Sequence, residues 1–478
     1  AVEASSSRRL RWVSLAGAGV AVAALLAAIG RRRAQRRKLH CRLAIDVASP
    51  YAAAVIREAA ARRGLTEDTA ASCRWADFAS QDWDRLLEGE GAGGRVSSLY
   101  MRAGLVRKAM LAHYLAKRHI EDVLPEGIVV DIEDEDDLEA LRRRLAAWPP
   151  SASSGGQVSA MAPQGEHLAW VIKASAANRG ENLFLARSAN EVVEVLRPLT
   201  LGAGGVVEWV VQRYVSPPLL VSGRKFHVRA HLLISGCPIC GTTRAWLHGE
   251  HHVVLVATSS YSASGLDRFS HLTNHCVQVE HPDYDECRQV LLLGELDAML
   301  GRPGLAAHVQ RAMERALAEA LKASSSAPLG FGPLPQCFEL FGADFTLEDC
   351  GEDTLPKVWL LEVNAGPDLA IFGKRLRPHC VSLVEGVLRT AVEPYLGLGS
   401  GATAPQAFVG AEACGCKVAA AGAGFTECLW SAGPRTTSTA EELSGFKRRL
   451  GIAGRWAKSL HEGSGVVVRG PQSRGTGA

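Results

Sequence analysis

The sequence predicts an α+β protein: two antiparallel-rich sheets carrying helices, preceded by a smaller N-terminal α/β segment. Three observations lead there. Between residues 167 and 395, apolar strand-like runs alternate with helical stretches, and several neighbouring runs are spaced as hairpins, which favours antiparallel pairing over a doubly wound sheet. Within that region two strands carry their charged residues on one face only. Ahead of it, residues 43–132 read as alternating strand and helix pieces.

In order, residues 52–63 read as a helix stopped at Arg62-Arg63-Gly64, and 104–118 as one amphipathic helix with Leu105, Leu111 and Leu115 near one stripe. A third helix over 137–147 ends at Pro149-Pro150. Residues 151–166, rich in Ser, Gly and Pro, read as a flexible insertion between a segment at 43–150 and a larger domain at 167–395. In the larger domain strands are expected over 168–173, 206–215, 225–235, 338–347 and 358–363. Helices are expected over 188–196, 304–322 and 380–394. Residues 396–478 turn Gly-, Ala- and Ser-rich and read as a low-complexity tail, with a short basic helix near 446–450.

The chain of 478 residues is 47% hydrophobic, enough for a large core. Nine basic side chains and one acid lie within residues 1–38, so the rest of the chain carries a net charge of −5 and bulk charge points to no nucleic acid. Past an N-terminal tail at 1–11, the uncharged stretch 12–30 precedes a basic linker at 31–42. It reads as a membrane anchor with the body on the cytosolic side, as a cleaved targeting peptide, or as an Ala-rich helix. Twelve scattered cysteines form no framework. The single Cys237-Pro238-Ile239-Cys240 fits a hairpin turn; a zinc site there would need His248 and His251. The run 202–205 follows a helix and reads as a turn, not a dinucleotide fingerprint.

The residues that carry chemistry follow strand periodicity. In Leu361-Glu362-Val363-Asn364, Glu362 and Asn364 share one face, with Trp359, Leu361 and Val363 on the other. Together with Asp344, a lone charge in an apolar strand, they suit either a hard cation such as Mg²⁺ or a strand-end hydrogen-bond network. Lys225, His227 and Arg229 line one strand face while Phe226 and Val228 enter the core; the cations face phosphates or water. Lys173 ends an apolar strand, as phosphate-contacting lysines do, and the loop after it carries Arg179-Gly180. Gln212, Arg213, Tyr214 and Val215 end a run that is either a core strand or a strand whose linker meets an adenine edge.

Taken in order, these segments resemble the tubulin–tyrosine-ligase-like family, over about residues 50–395. The likeness is carried by residues 170–173, Arg179-Gly180, Gln212 to Val215, Gly223-Arg224-Lys225-Phe226 with Arg229, His271-Leu272-Thr273-Asn274, residues 338–345, and Leu361 to Asn364. Arg107-Lys108 with Leu111 adds to it. The resemblance implies an ATP-grasp fold with ATP in the cleft between two antiparallel sheets. It implies Lys173 and Lys225 on phosphates, and Arg179, Gly180, Gln212, Arg213, Tyr214, Val215 and His227 among the nucleotide contacts. Asp344, Glu362 and Asn364 would bind Mg²⁺. Arg229 would face the γ-phosphate or the acceptor carboxylate, with Lys225 and Asn274 beside it as catalytic residues. The implied reaction activates a protein carboxylate as an acyl phosphate, which the amine of a free amino acid, glutamate foremost, then attacks. The implied partners are the acidic tails of tubulin or microtubules, and the implied setting is the cytoplasm and cytoskeleton. The sequence departs from the family at four places: Lys173-Ala174-Ser175 for Lys-Pro-Ser, Asn182 for a second glycine, His227 for aspartate, and no arginine in 253–257. The last two leave open a module that keeps the fold and ATP or tubulin binding without ligation.

Overall fold

A computed structural model describes residues 42–87, 94–148, 167–176, 183–201, 208–237, 241–326, 330–396 and 430–432. The uncharged stretch 12–30, the insertion 151–166, Arg179-Gly180, the run 202–205 and nearly all of the tail lie outside the described residues. No helix among the described residues is long and apolar enough to cross a membrane.

Near the start of the chain, β1 (Arg42–Asp46), β2 (Thr66–Glu67), β3 (Cys73–Ala76) and β4 (Arg95–Val96) form a parallel sheet of order β2-β1-β3-β4. Between β1 and β2 runs α1 (Pro50–Arg62). It starts because Ser49 accepts from the Ala52 amide and Pro50 occupies the first turn; it stops where Gly64 takes a left-handed φ of 72°. The expected helix at 104–118 is two helices, α2 (Ala103–Val106) and α3 (Lys108–Lys117), broken at Arg107, whose extended backbone (ψ 120°) turns the chain.

The smaller antiparallel sheet contains β5 (Gly127–Asp131), β6 (Trp170–Ala174), β7 (Leu183–Ala186) and β8 (Glu208–Arg213), in the order β5-β8-β6-β7. Two helices cover it, α4 (Glu135–Ala146) and α5 (Ala189–Thr200). Asp134 caps α4, acids fill its first turn, and Leu138, Leu141 and Leu145 recur at helical spacing to meet Trp170, Ile172 and Trp209 in one core. Residues 127–146 thus pack with the segment after the insertion, not with the parallel sheet.

The larger sheet is built around β10 (Arg224–Gly236), long enough to pair with several strands. On one edge it meets β14 (Phe338–Glu348), which pairs with β15 (Lys357–Ala365). On the other it meets β12 (Val253–Val256) and then β11 (Thr243–Leu247), with β13 (Val290–Leu292) outside β12 and the short β9 (Leu220–Val221) at its start. The tail contributes β16 (Trp430–Ala432), which pairs antiparallel with β11, so this part of the supposed low-complexity region is an edge strand. One face of the sheet packs on α3 and α6 (Leu305–Ser325), the other on α1 and α7 (Arg377–Ala391). Cys237 and His248 stand at opposite ends of β11, roughly 15 Å apart at strand rise. That spacing excludes a shared zinc, and no metal-holding group of three His, Cys, Asp or Glu occurs among the described residues.

His231 and His252 lie fully buried and stacked beside this sheet. The Nδ1 of His252 accepts from the His231 backbone amide, and burial pushes its pKa down to about 4; burial and the neighbouring histidines push His231 well below the usual histidine range. Both are neutral in the fold, so stability is full above the unfolded value of about 6.5 and is lost as pH falls through the window below it. Going from pH 7 to 5.5 is expected to cost about 2.5 kcal/mol from this pair. Urea unfolding at both pH values checks it; an unchanged midpoint would refute the buried neutral pair.

Candidate active site

The two antiparallel sheets face each other across a cavity. On β6, Trp170 and Ile172 enter the small-sheet core, so Val171 and Lys173 face the cavity; Leu183 and Leu185 of β7 extend its apolar wall. Gln212, Arg213, Tyr214 and Val215 line it where β8 ends. From the larger sheet come Lys225 and His227 of β10, Asp344 and Thr346 of β14, and Leu361 and Glu362 of β15, with residues 271–274 beside them. Phe226 and Val228 lie buried in the core on the opposite face of β10, as period-2 alternation requires.

Electrostatically, the cavity concentrates cations. Lys173 is buried and donates to Gln212 Oε1 at 2.9 Å; burial pulls its pKa down to about 8 against the attraction of Glu362. Lys225 donates to the Tyr214 hydroxyl at 3.0 Å and the His271 carbonyl at 3.2 Å, with the Tyr214 ring centre 4.3 Å away. Burial, helped by Lys173, brings Lys225 to about 7. These ammonium groups are therefore easily neutralised, and an anion restores their charge.

Arg229, Asp344 and Glu362 lie in one row across β10, β14 and β15. Arg229 grips Asp344 through Nε and Nη2 and donates from Nη1 to the Pro367 carbonyl at 3.3 Å. Gly342 makes room for this: a Cβ there would lie 2.7 Å from Arg229 Cδ. Asn364 Nδ2 bridges the two carboxylates, at 3.1 Å from Asp344 Oδ2 and 3.0 Å from Glu362 Oε1. Burial alone would raise the Glu362 pKa, but Lys108, 3.0 Å away, together with Lys173 holds it down at about 2.

His227 stands between these groups. Its Nδ1 lies 2.6 Å from Thr273 Oγ1; its Nε2 has no hydrogen-bond partner and lies 3.7 Å from Asp344 Oδ1. Burial lowers its pKa to about 4, so it is neutral at pH 7.

The register of β14 and β15 shifts between Asp344 and Phe345, which moves one side chain from its expected face. Val358 and Leu360 enter the core before the shift and Val363 after it, so Leu361 turns into the cavity beside Glu362 rather than joining Val363. The expected apolar row Trp359, Leu361 and Val363 does not form. Arg229 and Asn364 line not this cavity but a second one of about 600 Å³, which shares His227, Asn274 and Glu362 with the first. Its far walls come from the parallel sheet and its loops, including Trp75, Asp77 and Phe78. Arg179 and Gly180 lie outside the described residues.

Lys108, singled out in the sequence only as part of the Arg107-Lys108 likeness, is a site residue whose role the sequence did not indicate. It opens α3 at the break after Arg107, and the break faces it to Glu362. The same helix start holds the loop after Lys173: the Lys108 amide donates to the Ser175 carbonyl, and the Ala109 amide to Ser175 Oγ, each at 3.3 Å.

A triphosphate with a hard divalent cation fits this chemistry. Three lysines line a cavity that also holds two carboxylates and the side-chain amides of Gln212 and Asn274, and Thr346 Oγ1 and His227 Nε2 are buried there without hydrogen-bond partners. Two antiparallel sheets facing each other across such a cavity are the arrangement of the ATP-grasp fold. The C-terminal domain of K. lactis Pby1, an ATP-grasp enzyme, aligns over 76% of this chain and 96% of its own length with a TM-score of 0.52 at 19% identity. Residues 152–396 match the tubulin-tyrosine ligase family model. The chain belongs to the tubulin-tyrosine ligase family. A probable tubulin–tyrosine ligase of Schizosaccharomyces pombe is 26% identical over 370 residues, covering 68% of this chain and 83% of that protein. Human tubulin monoglycylase TTLL3 is 28% identical over 263 residues, half of this chain but only 31% of the relative.

Proposed function

We propose that the chain is an ATP-dependent ligase that joins an amino acid to a protein carboxylate, with an acidic tubulin tail as acceptor. The observation that carries this reading is the pair of cavities sharing His227, Asn274 and Glu362: one suits a nucleotide, the other the two groups to be joined. Lys108, Lys173 and Lys225 hold phosphates, and Arg179 and Gly180, which follow Lys173 in sequence, join the nucleotide contacts. The apolar wall of Val171, Leu183 and Leu185 takes the base, edged by the linker from Gln212 to Val215. Asp344, Glu362 and Asn364 would hold Mg²⁺, which would supply charge neutralisation for the transferring phosphoryl group; Asn364, whose Nδ2 donates to both carboxylates, would have to present its amide oxygen instead. Arg229, fixed by Asp344, orients the acceptor carboxylate from the second cavity, and Asn274 stands between the two cavities. Family membership and the relatives' names support tubulin as acceptor.

Incubation with ATP, microtubules and radiolabelled amino acids tests this reading. ATP-dependent label on tubulin is expected; nucleotide binding with no label transfer would favour a binding module instead.

Nucleotide binding should also take up protons. Phosphate oxygens raise the depressed pKa values of Lys173 and Lys225, so at pH 8 roughly one proton enters with each ATP, and affinity falls as pH rises above about 7. Calorimetry in buffers of different ionisation enthalpy measures this. Proton release, or none, would contradict the phosphate role of the two lysines.

A further inference from the structure

We infer that the second cavity selects an amine substrate with an uncharged side chain and discriminates against acidic donors such as glutamate. This rests on the ligase reading above and sharpens it. Among the described residues of its lining, the carboxylates are Asp77, Glu339, Glu362 and Asp368, against the cations Arg102 and Arg229.

Both cations are committed. Arg102 pairs with Glu339, whose other oxygen accepts from the Leu99 amide at 2.8 Å. Arg229 is held twice by Asp344 and once by the Pro367 carbonyl. Arg229 is the group assigned above to the acceptor carboxylate, and withdrawing Arg102 to serve the donor's side chain would strand the buried Glu339 carboxylate, so neither cation is left for an acidic donor. With Glu362 paired to Lys108 and Glu339 to Arg102, the carboxylates in excess are Asp77 and Asp368; a zwitterionic amino acid brings no net charge beside them, whereas glutamate adds a negative one.

The wall shared with the nucleotide cavity is neutral as well. His227 faces Leu255 across the β10–β12 ladder, and both side chains line the second cavity. The buried Nε2 of His227, without a hydrogen-bond partner, belongs to the wall that the two cavities share, and this imidazole adds no charge to it. Carboxylates therefore attract the ammonium group, and Leu255, Leu340 and Trp75 meet an uncharged body.

The test uses the full chain with Mg²⁺ and the non-hydrolysable analogue AMPPCP, and reads binding of glycine, alanine, tyrosine and glutamate by saturation-transfer NMR. The best neutral amino acid should bind at least about tenfold more tightly than glutamate. Asp77 and Asp368 are exposed, so Asp77→Asn with Asp368→Asn should fold and should narrow that gap by strengthening glutamate binding. Glutamate binding as tightly as the neutral amino acids would overturn the inference, as would an unchanged gap in the double variant. AMPPCP binding with no amino acid bound would overturn it while leaving the nucleotide site intact. Failure of AMPPCP itself to bind would instead bring down the ligase reading on which it rests.

Discussion

Replacing Glu362 by glutamine is expected to lower ligation by about a thousandfold or more while the protein still folds. The substitution keeps shape and removes one charge. Glu362 is ionised throughout the physiological range because Lys108 and Lys173 override its burial, and its carboxylate stands beside Asp344 with Asn364 bridging them. With an amide there, the proposed metal site loses one of its two anionic donors, and two buried lysines lose a shared counterion. Lys173 and Lys108 then repel each other across a neutral group. ATP turnover should fail more completely than ATP binding, since the lysines and the apolar wall remain. Turnover by Glu362→Gln matching the unaltered protein would remove Glu362 from the metal site.

Arg95→Leu is expected to destabilise the fold by about 4 kcal/mol, without touching the site. Arg95 is 1% exposed and forms no ion pair among the described residues. Its Nε donates to the Ala391 carbonyl at 2.9 Å, at the end of α7. Its Nη1 donates to the Gly236 and Pro335 carbonyls at 2.7 and 2.9 Å, and its Nη2 to Ser235 Oγ at 2.6 Å. The guanidinium also lies 4.2 Å from the Tyr395 ring centre. One side chain thus ties the parallel sheet, the end of β10 and the last long helix together. Leucine fills part of the space but strands buried carbonyls. Arg95→Lys should fall between, keeping the charge with fewer donors. Denaturant unfolding measures both; a loss under about 1 kcal/mol for leucine would mean that water replaces the guanidinium.

Periodicity made the β10 site legible. Phe226 and Val228 demand the core, which sends Lys225, His227 and Arg229 to the other face whatever the sheet does. Asp344, Glu362 and Asn364 were legible as oxygen-bearing groups in or beside apolar strands. Leu361 was not, because the register shift beside Asp344 depends on two strands at once and leaves no mark in either sequence. Lys108 was hidden for a similar reason. The pattern of Leu105, Leu111 and Leu115 continues through Arg107, where the chain in fact breaks to bring the lysine to Glu362. The second cavity draws on residues from Val47 to Ile371, a juxtaposition that no local pattern records. Arg95 carries no mark in the sequence, since three of its four hydrogen bonds go to backbone carbonyls, which have no side-chain signature. The edge strand at Trp430–Ala432 was masked by the composition around it.

The central claim is that this site activates a carboxylate by phosphorylation and then passes it to an amine. Acceptor peptide carrying oxygen-18 in its carboxylates tests it most directly. In the first step a carboxylate oxygen bonds to the γ-phosphorus of ATP, and ADP leaves. In the second the amine nitrogen attacks the acyl carbon, the carbon–oxygen bond breaks, and phosphate departs with that oxygen. Mass spectrometry of the released inorganic phosphate should therefore find one oxygen-18 for each amide formed. Unlabelled phosphate, with amide bonds forming at the normal rate, would contradict the account.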